Sequence, residues 1–214
     1  MLGFLKSPSQ APGADVLRAE RLYLRAPRAG DWKAWAELRG ASRAFLEPWE
    51  PTWPRDALSR AAFRNRLQRQ ARELRNGTGH GFFLFRNDDH ALLGGITLSN
   101  IQRGIAMSCS VGYWVGARHA RQGVMTEALG RLLPFVFDSL GLHRLEAACL
   151  PNNHASQALL HKLGFKEEGY AREYLRINGR WHDHLLFALL AGDFRARRAK
   201  ERGASAPRPS TGSG

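Results

Sequence analysis

The chain has 214 residues, yet only two are cysteine, three methionine and five lysine. Cys109 and Cys149 both fall in apolar, strand-like segments. A disulfide framework is therefore not expected, and a reducing cytoplasm is the default location. No apolar run approaches the ~18–20 residues needed to cross a bilayer. Met1 to Ala14 carries only Lys6 and no stretch apolar enough for a secretory leader. Neither common phosphate loop is present. There is no G-x-x-x-x-G-K-[ST], and Gly79-His-Gly81 departs from the dinucleotide pattern at Leu84 and precedes a strand rather than following one. His182 and His184 share one face of a strand, but no third ligand has suitable spacing, so no metal is expected. Internal repeats are absent.

The scarcity of lysine leaves a net charge of +13 almost entirely to arginine. After Phe194, Arg195, Arg197, Arg198, Lys200, Arg202 and Arg208 face only Glu201. Such a balance suits phosphate-rich partners, a nucleotide cofactor or ribosomal RNA, or else simply a solvated arginine-rich surface. The length suits one domain with a full core.

Hydrophobic period and breakers give the element order. Glu20–Arg25 alternates as a half-buried strand, and Asp31 is placed to cap a helix to about Arg39. Phe45 to Pro54 is a loop rich in proline and tryptophan, either a substrate lip or a cover for the core. Pro54 is an acceptable first residue for a helix reaching Arg75, with Leu58, Ala61, Ala62, Leu67, Ala71 and Leu74 as its apolar stripe. Arg55, Arg60, Arg64, Arg66, Arg69, Arg72 and Arg75 occupy its other faces. They form either a solvated surface or an RNA contact along 54–75. A meander of 81–86, 91–99 and 105–115 follows. Next come a helix over 122–140 kinked at Pro134, a strand over 143–150, a helix from 151–153 to Leu163, and strands 166–177 and 181–190 joined by Asn178-Gly179. The domain is expected over 16–195. It is flanked by a flexible segment, 1–15, and a basic, then Pro/Ser/Gly-rich disordered tail, 196–214.

Within this order one stretch carries chemistry. Val111 to Ala128 reads as a buried strand, a basic turn and the start of a long helix. The turn, Arg118 to Val124, holds Arg118, Arg121 and Gly123 and delivers the chain into a helix N-terminus. Uncapped N–H groups there carry partial positive charge, which makes a natural seat for phosphates.

Several short motifs line up around that corner: Phe45-Leu-Glu-Pro-Trp-Glu-Pro51, Gly112-Tyr-Trp, Gln122-Gly-Val-Met-Thr-Glu-Ala-Leu129, Leu142-His-Arg144, Asn153-His-Ala-Ser156, Leu163-Gly-Phe-Lys-Glu-Glu-Gly-Tyr170 and Asn178-Gly-Arg-Trp-His-Asp183. In this order and at this spacing the chain resembles the GNAT superfamily of N-acetyltransferases, over about Val16 to Phe194, and within it the RimJ/RimL group. The resemblance implies an α/β fold with a mixed, mainly antiparallel sheet of about six to seven strands flanked by helices, splayed between its fourth and fifth strands. It also implies acetyl-CoA as donor, CoA as product and no metal. The expected acceptor is a protein N-terminus, plausibly that of a ribosomal protein. A small amine acceptor, or an RNA-binding module whose catalysis has lapsed, are the alternatives.

The family's diphosphate signature, [Q/R]-x-x-G-x-[G/A], falls on Arg118 to Gly123, with Arg121 where the central glycine normally stands. By resemblance the CoA contacts are Tyr113, Trp114, Val115, Arg118, Arg121, Gln122, Gly123, Val124, Met125, Thr126, Asn153 and Ser156. Glu173 matches the proposed base of the RimL branch, with Glu146 a second candidate and Glu127 a surface or supporting residue. Many members place a tyrosine seven residues after the motif asparagine. Here that position is Leu160, so the resemblance implies Ser156 as proton donor to the thiolate. Backbone near Trp114 and Val115 would stabilise the developing oxyanion. Tyr170 and Tyr174 line the acceptor slot or simply pack, and Cys149 is read as a core residue rather than a nucleophile.

Overall fold

The computed structural model describes residues 16–204; the segments expected at 1–15 and beyond 204 lie outside them. The strands are β1 (Leu17–Arg18), β2 (Leu22–Arg25), β3 (His80–Arg86), β4 (Leu92–Gln102), β5 (Ser108–Val115), β6 (Arg144–Cys149), β7 (Lys166–Ile177) and β8 (Arg180–Leu190). The helices are α1 (Trp32–Ala41), α2 (Arg43–Leu46), α3 (Arg60–Arg75), α4 (Val124–Pro134), α5 (His154–Lys162) and α6 (Ala191–Ala204). All strands join one eight-stranded sheet in the order β1-β2-β3-β4-β5-β6-β8-β7. Six to seven were expected; the added strand is the two-residue β1, too short to show any alternation.

Every neighbouring pair is antiparallel except β5 and β6. That one parallel pair is where the sheet opens. β5 and β6 are paired only at Ser108–Arg144, Cys109–Leu145 and Ser110–Glu146. Beyond that point β5 stays on β4 as far as Val115, and β6 stays on β8 as far as Cys149. The two strands therefore diverge into a fork, and residues 111–115 keep one backbone edge unpaired.

Side-chain alternation along β5 splits its residues between two cores. Cys109, Val111, Tyr113 and Val115 face the larger core with Leu129, Leu132 and Phe137, whereas Trp114 faces the smaller one with Trp35, Phe63 and Phe83. Gly95 makes room for Trp114, since a Cβ there would lie 2.7 Å from the indole nitrogen.

Several expected boundaries move for identifiable reasons. The third helix starts at Arg60, not Pro54, because Ser59 caps it through Ala62 N–H at 3.1 Å. Phe63 is its most buried side chain, while Ala61 and Ala71 are exposed. Asp31 does not cap α1; its carboxylate takes the Arg28 N–H and a bidentate Arg25 guanidinium. At Pro134, where a kink was expected, the α-helix gives way to a π-helical turn over Phe135–Ser139. Residues 196–204, expected to be tail, belong to α6, which Phe194 anchors in the core.

Candidate active site

The turn after β5 has the geometry of an anion cradle. Gly123 at φ 75° precedes α4, and no side chain caps that helix. The first amides of α4 are thus left to a ligand. Arg121 also adopts the left-handed conformation, at φ 60°, a backbone path that glycine takes most readily. Gln122 closes the loop by donating to Arg118 O at 2.8 Å. Arg118, Arg121, Gln122 and Gly123 are exposed, whereas the side chains of Val124 and Met125 are buried beneath, leaving their backbone amides to face the turn. Arg118 Nε donates to His119 Nε2 at 3.0 Å. Burial, then the Arg118 charge, holds the His119 imidazole below its ordinary pKa.

At the fork, Tyr113 of β5 and Ser156 of α5 meet, with 2.7 Å between their hydroxyls. Burial pushes the Tyr113 phenol up to about 12, so it remains protonated at neutral pH. Asn153 caps α5 by accepting Ser156 N–H at 3.1 Å, which commits its amide oxygen and leaves its NH2 as a donor. Leu160 is fully buried in the core, so no tyrosine stands there. Cys149 is buried, and burial raises its thiol further, the Ser156 hydroxyl opposing that shift. The thiol is protonated at neutral pH and unsuited to attack.

The far side of the fork is bordered by β7 and β8, which run past the end of β6. Cys149, Leu185 and Tyr170 form a row across β6, β8 and β7, and the hairpin continues beyond it to Asn178-Gly179. Its tip reaches the Pro/Trp loop: Asn178 Nδ2 donates to Glu47 O at 3.0 Å, and Thr52 Oγ1 donates to Asn178 Oδ1 at 3.3 Å. The loop is in turn held to the sheet. Arg39 pairs with Glu50 and stacks on Trp53 and Trp114, 4.3 Å and 4.9 Å from the ring centroids.

Glu173 lies in a bulge between Ala171 and Leu175, exposed and at φ 48°. Asp183 fixes that bulge, accepting Glu173 N–H at 2.8 Å and the Tyr170 hydroxyl. The Tyr170 hydrogen bond, followed by the Glu173 amide, holds the Asp183 carboxyl below its usual range. Asp183 and Asn178 stand within one of the short motifs, but their roles depend on pairings that no local pattern reveals. Tyr174 packs edge-on to His184, which is itself buried.

Two residues singled out by the sequence stand apart from this assembly. Glu146 lies in the closed, paired end of the fork, and its carboxylate is held by Arg144 at 2.7 Å, an arginine shared with Glu168. It is not brought together with Ser156 or Glu173. Arg66 does not share the outer face of α3: it is turned inward, and burial lowers its pKa to about 10. A cleft of about 320 Å³ between α3 and β3, lined by Gln70, His80 and Phe135, contains none of the candidate residues.

A fork between two parallel strands, with an uncapped helix N-terminus at its mouth, defines a class. The GNAT acetyltransferase domain model matches residues 21–166, and this chain belongs to that family. It is an acetyl-CoA-dependent N-acetyltransferase. It is 34% identical over 178 residues to the [ribosomal protein uS5]-alanine N-acetyltransferase of Escherichia coli K12, covering 83% of this chain and 92% of the relative. Probable N-acetyltransferase YjcK of Bacillus subtilis is 32% identical, with 83% and 98% covered. Among solved structures, Mycobacterium smegmatis RimJ in complex with CoA-disulfide superposes with a TM-score of 0.79 at 33% identity, covering 89% of this chain and 94% of that one. No helix among the described residues is long and apolar enough to cross a membrane.

Proposed function

We propose that this enzyme moves the acetyl group of acetyl-CoA onto the N-terminal α-amine of a ribosomal protein, an alanine N-terminus being the first choice. The observation that carries the reading is the Tyr113–Ser156 hydrogen bond across the fork, a hydroxyl pair suited to protonate a departing thiolate. The acceptor follows from the uS5-alanine acetyltransferase relative, which matches along most of its length. The aromatic rim supports it. Trp49, Tyr174 and Trp181 are 36%, 48% and 59% exposed around the hairpin and loop, which suits a polypeptide better than an isolated small amine. An α-amine, with a pKa near ~7.7–8.0, also needs only a mild base. A cytoplasmic location accords with such an acceptor.

In this reading Arg118, Arg121 and the amides of Gly123 to Thr126 hold the diphosphate. The free edge of β5 and the Asn153 NH2 hold the pantetheine arm. Glu173 takes a proton from the amine, directly or through water, and the amine nitrogen attacks the thioester carbon. A backbone N–H near Trp114 or Val115 stabilises the developing oxyanion, an interaction worth roughly 3 kcal/mol in comparable sites. As the C–S bond breaks, Ser156 donates its proton to sulfur and regains one from Tyr113, and the second proton shed by the acylated nitrogen returns through water to restore the Tyr113 phenol. The exposed arginines of α3, Arg60, Arg64, Arg69, Arg72 and Arg75, offer a surface for ribosomal RNA.

Intact-mass comparison of ribosomal proteins from cells with and without this gene tests the reading. Loss of one N-terminal acetyl group names the acceptor. Unchanged masses from an enzyme that still turns over acetyl-CoA with small amines would overturn it. RNA association that falls steeply with salt, without turnover of any amine, would favour a binding module.

A further inference from the structure

We propose that Arg21, in the turn between β1 and β2, is a positioning residue for the donor, because it cancels the one carboxylate in the first turn of α4. That carboxylate is Glu127. A negative side chain there is attracted to the same amides that a diphosphate needs, and left uncompensated it opposes the incoming phosphates. Its exposure is only 17%, so solvent screens it weakly.

Arg21 engages Glu127 twice. Its backbone N–H donates to Oε1 at 2.7 Å, and its Nε donates to Oε2 at 2.7 Å. The same guanidinium reaches into the loop, Nη1 donating to Gln122 O at 3.2 Å. Nη2 lies 3.3 Å from where a Cβ on Gly123 would stand. The requirement for glycine at 123 comes from its φ of 75°, and the arginine tip lies close enough that a Cβ there would shift it by a few tenths of an ångström. One residue thus neutralises Glu127, pins the carbonyl before Gly123 and brings a third guanidinium to a cradle that already has Arg118 and Arg121. The chain separation of 106 residues between Arg21 and Glu127 explains why the sequence does not advertise the pairing.

The inference rests on the diphosphate lying at Arg118 to Thr126, so its test must separate the two ideas. Calorimetry with CoA and with pantetheine, which lacks the diphosphate, is run on the wild type, Arg21→Ala and Arg21→Ala/Glu127→Gln. Steady-state kinetics with acetyl-CoA accompany it. Arg21→Ala is expected to raise the CoA Kd and the acetyl-CoA KM about 10- to 30-fold, with kcat at saturation and pantetheine affinity little changed. Adding Glu127→Gln is expected to recover part of that loss, because the opposing charge is gone while the third guanidinium and its hold on Gln122 are still missing.

An equal loss for CoA and pantetheine would mean general loosening and would overturn the inference. So would a double variant as weak as Arg21→Ala, since charge cancellation would then play no part. Wild-type protein that binds CoA no tighter than pantetheine would overturn the placement of the diphosphate itself, and this inference with it. Melting curves of all three proteins identify any variant that fails to fold. In that case Arg21→Lys is measured instead. It keeps the charge but not the two-sided geometry, and is expected to lie between wild type and Arg21→Ala; a Kd equal to that of wild type would overturn the pinning of Gln122.

Discussion

The donor corner runs along one stretch of chain, Tyr113 to Thr126, shaped mainly by its own backbone. Arg121 and Gly123 turn left-handed, and Gln122 closes on Arg118. The proposed acceptor end has no comparable stretch. It is assembled from the Pro/Trp loop, the end of β5 and the β7–β8 hairpin, joined by bonds such as Asn178 to Glu47 across 131 residues. A diphosphate is the same for every acetyl donor, so a local, stiff motif can serve it. An acceptor differs from enzyme to enzyme, and a site whose walls come from separate loops can change one wall without disturbing the others.

This contrast is sharpened first by removing Ser156, the proposed proton donor, where the two halves meet. Ser156→Ala is expected to lower kcat about 10²-fold or more, the range for a lost general acid, with the acetyl-CoA KM little changed. Tyr113→Phe, which leaves Ser156 its hydroxyl but not its partner, should cost less. Single-turnover kinetics with a peptide acceptor would distinguish the two. A Ser156→Ala enzyme as fast as wild type would return the proton to water.

On the acceptor side, Glu173→Gln is expected to reduce kcat/KM about 10- to 100-fold near pH 7. The deficit should shrink above pH 8, where a growing fraction of the acceptor amine is neutral without help. A deficit independent of pH would show that Glu173 shapes the bulge rather than accepting a proton. Asp183→Asn is the control for that outcome, since it disturbs the bulge and leaves the Glu173 carboxylate in place.

Asn178→Ala breaks the clasp between hairpin and loop. The two side-chain hydrogen bonds lost are worth about 1 kcal/mol each, so the acceptor KM should rise by up to about thirty-fold. The acetyl-CoA KM should stay put. If both constants move together, the two halves are mechanically coupled and the contrast above fails.

Acid should also tell the halves apart. His119, beneath the donor turn, has a folded pKa below its ordinary value, so the unfolded chain binds its proton more readily. Stability at that site is fully present above about pH 6.5, the unfolded value, and is lost progressively as pH falls below it through the lower folded value. Asp183 at the acceptor end is a carboxyl held below its usual range, and its contribution persists until pH drops past about 3.9. Hydrogen exchange at pH 5.5 should therefore show the turn amides opening before those of the hairpin. Equal loss of protection in both would contradict this order.

The same contrast explains what is legible in the sequence. The fork is readable because a strand, a basic turn and a helix follow one another directly, and local pattern fixes local geometry. Ser156 is readable as a candidate from its motif. Its phenol partner is not, although Tyr113 stands among the expected donor contacts, because a hydroxyl pair across a fork depends on how far two strands diverge. Glu146 looks suitable on an apolar strand, but pairing at Ser110 sets it in the closed end, where Arg144 occupies it. Arg66 reads as surface because arginines surround it in sequence. In the fold, it follows Phe63 by one helical turn and is drawn inward on the same face. Arg21 lies outside every motif, and only the packing of the β1–β2 turn against α4 brings it to the cradle.

The smallest effect concerns the residue that departs from the family pattern. Arg121 adopts φ 60° despite its Cβ, a conformation that costs an ordinary residue about 1 kcal/mol. Arg121→Gly relieves that strain but makes the unfolded chain more flexible, so the net gain in stability should be only a few tenths of a kcal/mol. The guanidinium is lost at the same time, and CoA should bind about three-fold more weakly, with a shallower dependence on salt. Denaturant melts and calorimetry at two salt concentrations would measure both. If the glycine variant binds CoA more tightly, the arginine is there for another reason, and the backbone path alone holds the diphosphate.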